Sequence, residues 1–214
     1  MRSMESYFNF SSILGDDDIY AEFYGEATEG IKDFFKPLTD WISSIIKWVK
    51  SKIDTFLSRN NPMIHEEAVK AISTVNDILN KYVDDGAREF TKQNSYEEFQ
   101  KNIEYIENSL ELKISNLVSS TKSSMQNKKK MEYYVKTPHS IQKLVSSMEK
   151  ARDKYINRGA KAVATWSVKD QERTNKYAKF IQKVYTLCAK TAVAFLNNSG
   201  LTVSEDQIGN ISIT

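Results

Sequence analysis

Residues that commonly act as nucleophiles, general bases or metal ligands are scarce in this sequence. It has one cysteine, Cys188, and two histidines, His65 and His139. Two glutamates follow His65, but the second histidine that a helical zinc-protease motif requires four residues later is absent. Zinc sites draw most of their ligands from closely spaced residues. We therefore predict that both histidines lie exposed in the first turns of helices and bind no metal.

The other candidates for catalysis or metal binding are equally weak. Cys188 falls between Val184 and Thr191 on the apolar side of a predicted helix, where cysteine behaves as a small buried hydrophobic residue. Three consecutive aspartates occupy 16–18, but consecutive acids point in different directions, whereas a calcium loop alternates its ligands. The sequence has no glycine-rich phosphate loop. We expect no catalytic residue, no cofactor site and no metal site.

Composition favours a helical protein. The chain has 214 residues, of which 40% are hydrophobic and 27% charged, with only 7 glycines and 3 prolines. So few turn-forming residues argue against the many tight turns of a β-sandwich or barrel. A lone cysteine excludes an internal disulfide, and the first residues lack a long apolar run. We therefore expect a cytoplasmic protein that is not secreted by a signal peptide.

The segment 31–59 is amphipathic and carries two of the three tryptophans. Its apolar residues recur at steps of three and four, the spacing that lines one side of a helix. Proline costs about 3 kcal/mol inside a helix but is tolerated in a first turn, so we predict a break near Lys36 and a clean helix from Pro37 to Leu57. The apolar side of this helix is our candidate docking face, formed by Leu38, Trp41, Ile42, Ile45, Val49, Ile53 and Phe56.

Charged residues inside this segment exclude a transmembrane span. They are Asp40, Lys47, Lys50, Lys52 and Asp54. Lysines beside aromatic residues are nevertheless typical of a helix that lies on a membrane surface. The same apolar stripe also suits packing against other helices of the chain or against another subunit. We rank packing against the chain's own helical core, or against another subunit, ahead of a lipid surface.

Four further helices are predicted over 62–200, which gives an all-α fold, an extended bundle of about five helices. Ser95 and Glu98 have the spacing of a capping box at the start of one of them, and its three-four spacing also fits a coiled-coil seam. Residues 201–214 form a polar tail too short to assign. The four helices are predicted from Pro62 to a stop at 84–86, from Ser95 to Thr121, from Thr137 to Gly159, and from Val163 to a stop at 197–200.

A basic connector at 126–136 lies between two of these helices. It contains three consecutive lysines, Lys128, Lys129 and Lys130, followed by two tyrosines. Lysines contact phosphates and aromatic rings stack on bases, so the three lysines are candidate nucleic-acid contacts. Acidic residues interleaved with the basic ones dilute the positive field in the body of the chain. Nucleic acid therefore ranks below protein and membrane as a partner.

Residues 1–30 form an acidic leader that we predict to be poorly structured. One arginine stands against seven acidic residues, a net charge of −6 that leaves +8 for the rest of the chain. Glu22, Glu26 and Glu29 lie beside small residues just before the helical body. This arrangement resembles the glutamate-directed sites at which maturation proteases of large tailed phages trim prohead-core and internal head proteins. The resemblance covers the leader alone and implies that these three glutamates are candidate cleavage positions.

These patterns together favour a non-enzymatic structural or interaction protein. The leader's resemblance makes a virion-associated component of a tailed phage, internal or capsid-associated, the leading hypothesis, located in the virion or the host cytoplasm. The alternative is a peripheral membrane-binding helical protein of the membrane-remodelling or pore-forming type. The expected partners are capsid or other protein subunits, further copies of this chain paired through heptad-like stripes, a membrane surface or, last, nucleic acid.

Overall fold

The computed structural model describes residues 29–136, 141, 143–154 and 171–197. This part of the chain contains five helices and one pair of short strands, which confirms the predicted helical bundle. Both the leader up to residue 28 and the tail at 201–214 lie outside it. In chain order the elements are α1 (Glu29–Leu57), β1 (Met63–His65), α2 (Glu66–Phe90), α3 (Tyr96–Asn127), a single 3₁₀ turn (Met131–Tyr133), β2 (Tyr134–Lys136), α4 (143–154) and α5 (Gln171–Leu196).

Helices α2 and α3 are antiparallel neighbours joined by a short loop at 91–95. Near the middle of the pair, the Tyr82 hydroxyl lies 2.9 Å from the Ser109 hydroxyl, and nearer the loop Asn102 donates to Glu89 over 2.8 Å. Ser95 caps α3 as predicted, because its hydroxyl accepts the Glu98 N–H at 3.2 Å. We call the end of the bundle that holds loop 91–95 the loop end.

Helix α5 is central and runs parallel to α3. Lys176 pairs with Glu104 at 3.5 Å and, two turns further on, Lys183 pairs with Glu111 at 2.6 Å. It also packs against α1 and α2, and its apolar residues are buried on several sides, as expected of a helix inside a bundle. The buried residues of all five helices form one core.

The two strands close the opposite end of the bundle. β1 and β2 are antiparallel, with Met63 opposite Lys136 and His65 opposite Tyr134. Helices α1, α3 and α5 end here and α2 begins here, so we call it the sheet end. The strand pair was not predicted, since β2 lies within the stretch assigned to an irregular basic connector. Two three-residue strands are too short to show the alternation by which strands are recognised in a sequence.

Helix α1 is continuous through Pro37, so the predicted break near Lys36 is wrong. Proline removes one backbone hydrogen bond and costs about 3 kcal/mol in a helix interior. The apolar stripe that follows the proline, from Leu38 to Phe56, is buried in the core. This packing offsets the cost, because most helical stability in proteins comes from tertiary packing. The predicted end near Leu57 is confirmed.

Helix α2 differs from its prediction at both ends. It begins at Glu66 rather than Pro62, because 63–65 pair as a strand, and it runs through Gly86 to Phe90. The prediction that Gly86 stops the helix is wrong, because Gly86 is a point of close approach between helices. A methyl group built on it would lie only 2.8 Å from Cδ1 of Phe180, and closer still to Cε1. The glycine is there for packing with α5 rather than for a turn.

The last two predicted helices are confirmed where they are described. Residues 143–154 are helical, and α5 ends at Leu196, just before the predicted stop. The predicted cap at Thr137, the end at Gly159 and the start at Val163 lie outside the described residues.

Candidate interaction surfaces

The structure places the candidate docking face inside the protein. Six of its seven residues are buried in the common core, namely Leu38, Ile42, Ile45, Val49, Ile53 and Phe56. Trp41 is partly buried and packs against the same core. The face is covered chiefly by α5, which packs along α1. It is thus satisfied by the chain's own helices, and a lipid or another subunit would have to contact α1 elsewhere.

One flank of α1 combines aromatic and cationic side chains. Trp41, Trp48 and Lys52 follow one another at steps of seven and four, which keeps them on one side of α1, and Arg59 lies two residues beyond the end of this helix; we call these four residues the Trp–cation flank. The Lys52 ammonium lies 5.9 Å from the centre of the Trp48 ring. The Arg59 guanidinium lies 5.2 Å from the Phe56 ring. Both cations are exposed, whereas both tryptophans are partly buried.

The prediction that His65 lies exposed in a first turn is wrong. The residue is buried, with only 1% of its surface accessible. It is the N-cap residue of α2: its Nδ1 accepts the Glu67 N–H at 3.1 Å. Its Nε2 lies 3.0 Å from the carbonyl oxygen of Lys128, at the end of α3. Since Nδ1 accepts, Nε2 carries the proton and donates to that carbonyl. One imidazole therefore joins the start of α2 to the end of α3. His139 lies outside the described residues.

The prediction for His65 failed because β1 and β2 were not recognised. The strand pair sets His65 opposite Tyr134, and the two rings meet edge to face with centres 5.2 Å apart. Tyr133 stacks on the other side with ring centres 6.3 Å apart. The sequence contains one signal for this contact. A short apolar stretch precedes α2, and a second short apolar stretch follows the three connector lysines.

The three connector lysines do not form one free cationic patch. Lys128 is held by the Glu67 carboxylate at 2.9 Å and lies 5.6 Å from the Tyr133 ring centre. Lys130 lies 3.8 Å from Glu132, and Lys129 is exposed. The hydrogen bonds from Lys128 and Lys70 lower the pKa of Glu67 below its usual value. Lys128 thus has a structural role and is no longer a candidate for contacting nucleic acid.

The loop end contains a buried polar cluster that sequence reasoning missed. Arg173 of α5 is 2% exposed, and its guanidinium donates to the carbonyl oxygens of Lys92 at 2.7 Å and Ser95 at 3.2 Å. It also donates to both the backbone carbonyl and the side-chain oxygen of Asn94, the latter at 2.7 Å. The guanidinium lies 4.7 Å from the Phe99 ring centre. These contacts attach the α2–α3 loop to α5.

Glu89 is the acidic member of this cluster and is 4% exposed. Lys92, Asn94 and Asn102 donate to its carboxylate over 2.6, 3.0 and 2.8 Å. Burial by itself would raise the pKa of Glu89. The hydrogen bonds from these three donors outweigh burial, so the pKa lies below its usual value. The carboxylate is fully engaged within the fold.

Cys188 is buried, as predicted. Burial strongly raises the pKa of its thiol, so the thiolate that a nucleophile requires is disfavoured.

Among the described residues, no three histidine, cysteine or acidic side chains come together as a metal site. No helix in the described ranges is long and apolar enough to cross a membrane. No family model, curated protein or solved structure matches this chain.

We predict that His65→Ala destabilises the protein by about 2–4 kcal/mol. The change removes an N-cap, which costs about 1 kcal/mol, and leaves the buried Lys128 carbonyl without this donor, which costs about 1–3 kcal/mol. Urea unfolding at pH 7 measures the difference. Lys129→Ala, an exposed neighbour, should stay within about 0.5 kcal/mol of wild type. A His65→Ala protein as stable as the lysine control would contradict the bridging role.

We predict that Glu89→Gln removes an acid-sensitive part of the stability. A carboxyl whose pKa is lowered by folding stabilises the native state above its unfolded pKa of about 4.3, and this contribution disappears as the pH falls through the folded pKa. The variant should be about 1–3 kcal/mol less stable than wild type at pH 7, with the gap narrowing below about pH 4. Denaturant unfolding across this range measures it.

The control for this experiment is Glu149→Gln, because Glu149 is exposed on α4. This variant should follow the wild-type stability within about 0.5 kcal/mol at each pH. A gap for Glu89→Gln that stays constant from pH 7 to pH 3 would show that the charge of Glu89 is not what stabilises the cluster.

Proposed function

We propose that this chain is a non-enzymatic structural protein that binds other protein subunits as a virion-associated component of a tailed phage. The observation that carries the interaction role is the outer face of α3. There Tyr105 and Leu112 are 76% and 63% exposed, although both are large and apolar. They lie seven residues apart and so point in nearly the same direction from the helix. Exposed aromatic and aliphatic side chains on one face are typical of protein contacts.

The shape of α3 suits this role. It has 32 residues and extends for about 48 Å at 1.5 Å per residue. Its inner side is secured by buried residues such as Phe99, Ile103 and Leu110. Its outer side is otherwise polar, with exposed residues such as Asn108 and Ser119. A long rigid helix with a small apolar centre and a polar surround resembles the core and rim of a protein interface.

The state of the reactive groups supports a role without catalysis. The Cys188 thiol is buried with a raised pKa. The buried charges of Glu89 and Arg173 are engaged by internal hydrogen bonds. His65 uses both ring nitrogens to connect helices. In each case the group that could do chemistry is occupied in stabilising the bundle.

The virion-associated role rests on the resemblance of the acidic leader. The last candidate cleavage position, Glu29, is the first residue of α1, whereas Glu22 and Glu26 lie outside the described residues. Cleavage after either of the earlier glutamates would leave every described helix intact. The leader could therefore be removed during assembly without cutting the helical body that makes the contacts.

Mass spectrometry of purified particles tests the virion role. We expect the chain to be present and to begin at residue 23, 27 or 30, because a maturation protease would cut after Glu22, Glu26 or Glu29. The same chain produced without other phage proteins is the control and should keep its leader. Particles that lack the chain would contradict the virion role, and particles that contain it with the leader intact would contradict processing.

The paired substitution Tyr105→Ser and Leu112→Ser tests the α3 contact. Both side chains are exposed, so the fold should keep its stability within about 1 kcal/mol. The number of copies in purified particles, measured by quantitative mass spectrometry, should fall at least about tenfold, since interface hot spots contribute 2 kcal/mol or more. Met131→Ser, which removes an equally exposed apolar residue at 71% exposure, should leave the copy number unchanged. An unchanged copy number in the α3 variant would contradict the proposed interface.

A further inference from the structure

The Trp–cation flank of α1 carries positive charge that the described fold leaves uncompensated. Within the described residues, no carboxylate lies within 4.0 Å of Lys52 or Arg59. The cations that face α3 from α5 behave differently, because both Lys176 and Lys183 pair with glutamates. Arg59 donates to the side-chain oxygen of Asn197 at 3.5 Å, but this partner is neutral, so no ion pair in the described part of the chain neutralises the charge of the flank.

The acidic residues of α1 do not reach this flank. At 100° per residue, Asp40 and Asp54 point about 100° or more away from the centre of the flank. Lys47 and Lys50 share the exposed side with these acids and also have no carboxylate within ion-pair distance in the described part. The charged residues of the flank, Lys52 and Arg59, are thus both cations, and they lie at the sheet end of α1.

From this surface we infer that the protein binds bilayers with anionic lipid headgroups, through the Trp–cation flank. Lysine and arginine side chains are attracted to anionic leaflets, and tryptophan favours the headgroup region, where its ring is half-immersed. The indole N–H of Trp41 is buried, so we assign the headgroup contact to Trp48, which lies beside Lys52. The apolar stripe of α1 stays in the core, so binding is shallow, driven by charge and weakened by salt.

Trp48 distinguishes a lipid surface from a nucleic acid as the partner. A base stacks on an exposed aromatic face, but the Trp48 ring is partly buried and has the Lys52 ammonium 5.9 Å from its centre. A partly buried ring beside an ammonium group leaves less of its surface for a stacked base. Such a ring next to a cation suits a headgroup layer. This binding is independent of the α3 contact and of the virion role.

Sedimentation with lipid vesicles tests the inference. The full chain is mixed with vesicles of phosphatidylcholine alone or with 30% phosphatidylserine, at low and high salt. We expect binding only to the anionic vesicles and its loss at high salt. Each lysine or arginine near an anionic leaflet strengthens binding about fivefold, so Lys52→Gln with Arg59→Gln should weaken it roughly 25-fold. Thermal unfolding checks that the variant is folded.

The matched control is Lys129→Gln with Lys130→Gln, which removes the same charge from exposed lysines at the sheet end. It should bind anionic vesicles within about threefold of wild type, because these residues lie outside the flank. Equal losses in the two variants would overturn the assignment to the flank. Wild-type protein that fails to bind anionic vesicles, or that binds a single-stranded oligonucleotide instead of vesicles, would overturn the inference itself.

Discussion

The hydrogen bonds that Arg173 donates to loop 91–95 connect α5 to a loop about 80 residues earlier in the chain. The guanidinium donates to the backbone carbonyls of three loop residues, Lys92, Asn94 and Ser95. Burying an arginine is costly unless its guanidinium is hydrogen-bonded, so these bonds favour the observed position of α5 relative to α2 and α3. The Phe90 and Tyr177 rings, stacked with centres 4.2 Å apart beside it, extend the same connection into the core.

The other helices depend on this placement of α5. Gly86 of α2 must face Phe180 at close range, and Lys183 must reach Glu111 of α3. The Tyr185 hydroxyl donates to the Met148 carbonyl of α4 over 3.0 Å, so the fourth helix is also positioned by α5. At the sheet end His65 plays the corresponding part between α2 and α3. Because the apolar stripes of the described helices are buried inside, we propose contacts on surfaces that remain outside, the outer face of α3 and the Trp–cation flank.

Local patterns in the sequence predicted the helical fold class and the inner sides of the helices, but not the continuity of α1 through Pro37 or the two ends of α2. Ser95 with Glu98 marked the start of α3, and the apolar steps of α1 and α5 identified the buried residues. The contacts that close the two ends could not be predicted, since each joins residues far apart in sequence. In the sequence, Arg173 is one cation among many on a helix, and His65 resembles an exposed first-turn residue because its pairing with β2 is not visible. Gly86 resembles a helix stop because its contact with Phe180 is not visible either.

The same distinction applies to the candidate surfaces. Periodicity identified the apolar side of α1 correctly as a contact face, but it carries no information about which partner covers that face. In the sequence, Lys128 cannot be distinguished from its neighbours Lys129 and Lys130. Only the fold shows that Lys128 forms an ion pair with Glu67. Exposure of Tyr105 and Leu112 likewise depends on which side of α3 the bundle covers.

The stability of Arg173→Lys tests most directly whether the loop–α5 connection holds the fold together. Lysine keeps the charge but lacks the planar fork of donors that reaches several loop acceptors at once. We predict a loss of about 3 kcal/mol or more in the free energy of unfolding, with faster amide hydrogen exchange in 91–95. Lys179→Met, an exposed change on the same helix, should stay within about 0.5 kcal/mol of wild type. An Arg173→Lys protein within 1 kcal/mol of wild type and with unchanged exchange would contradict the account.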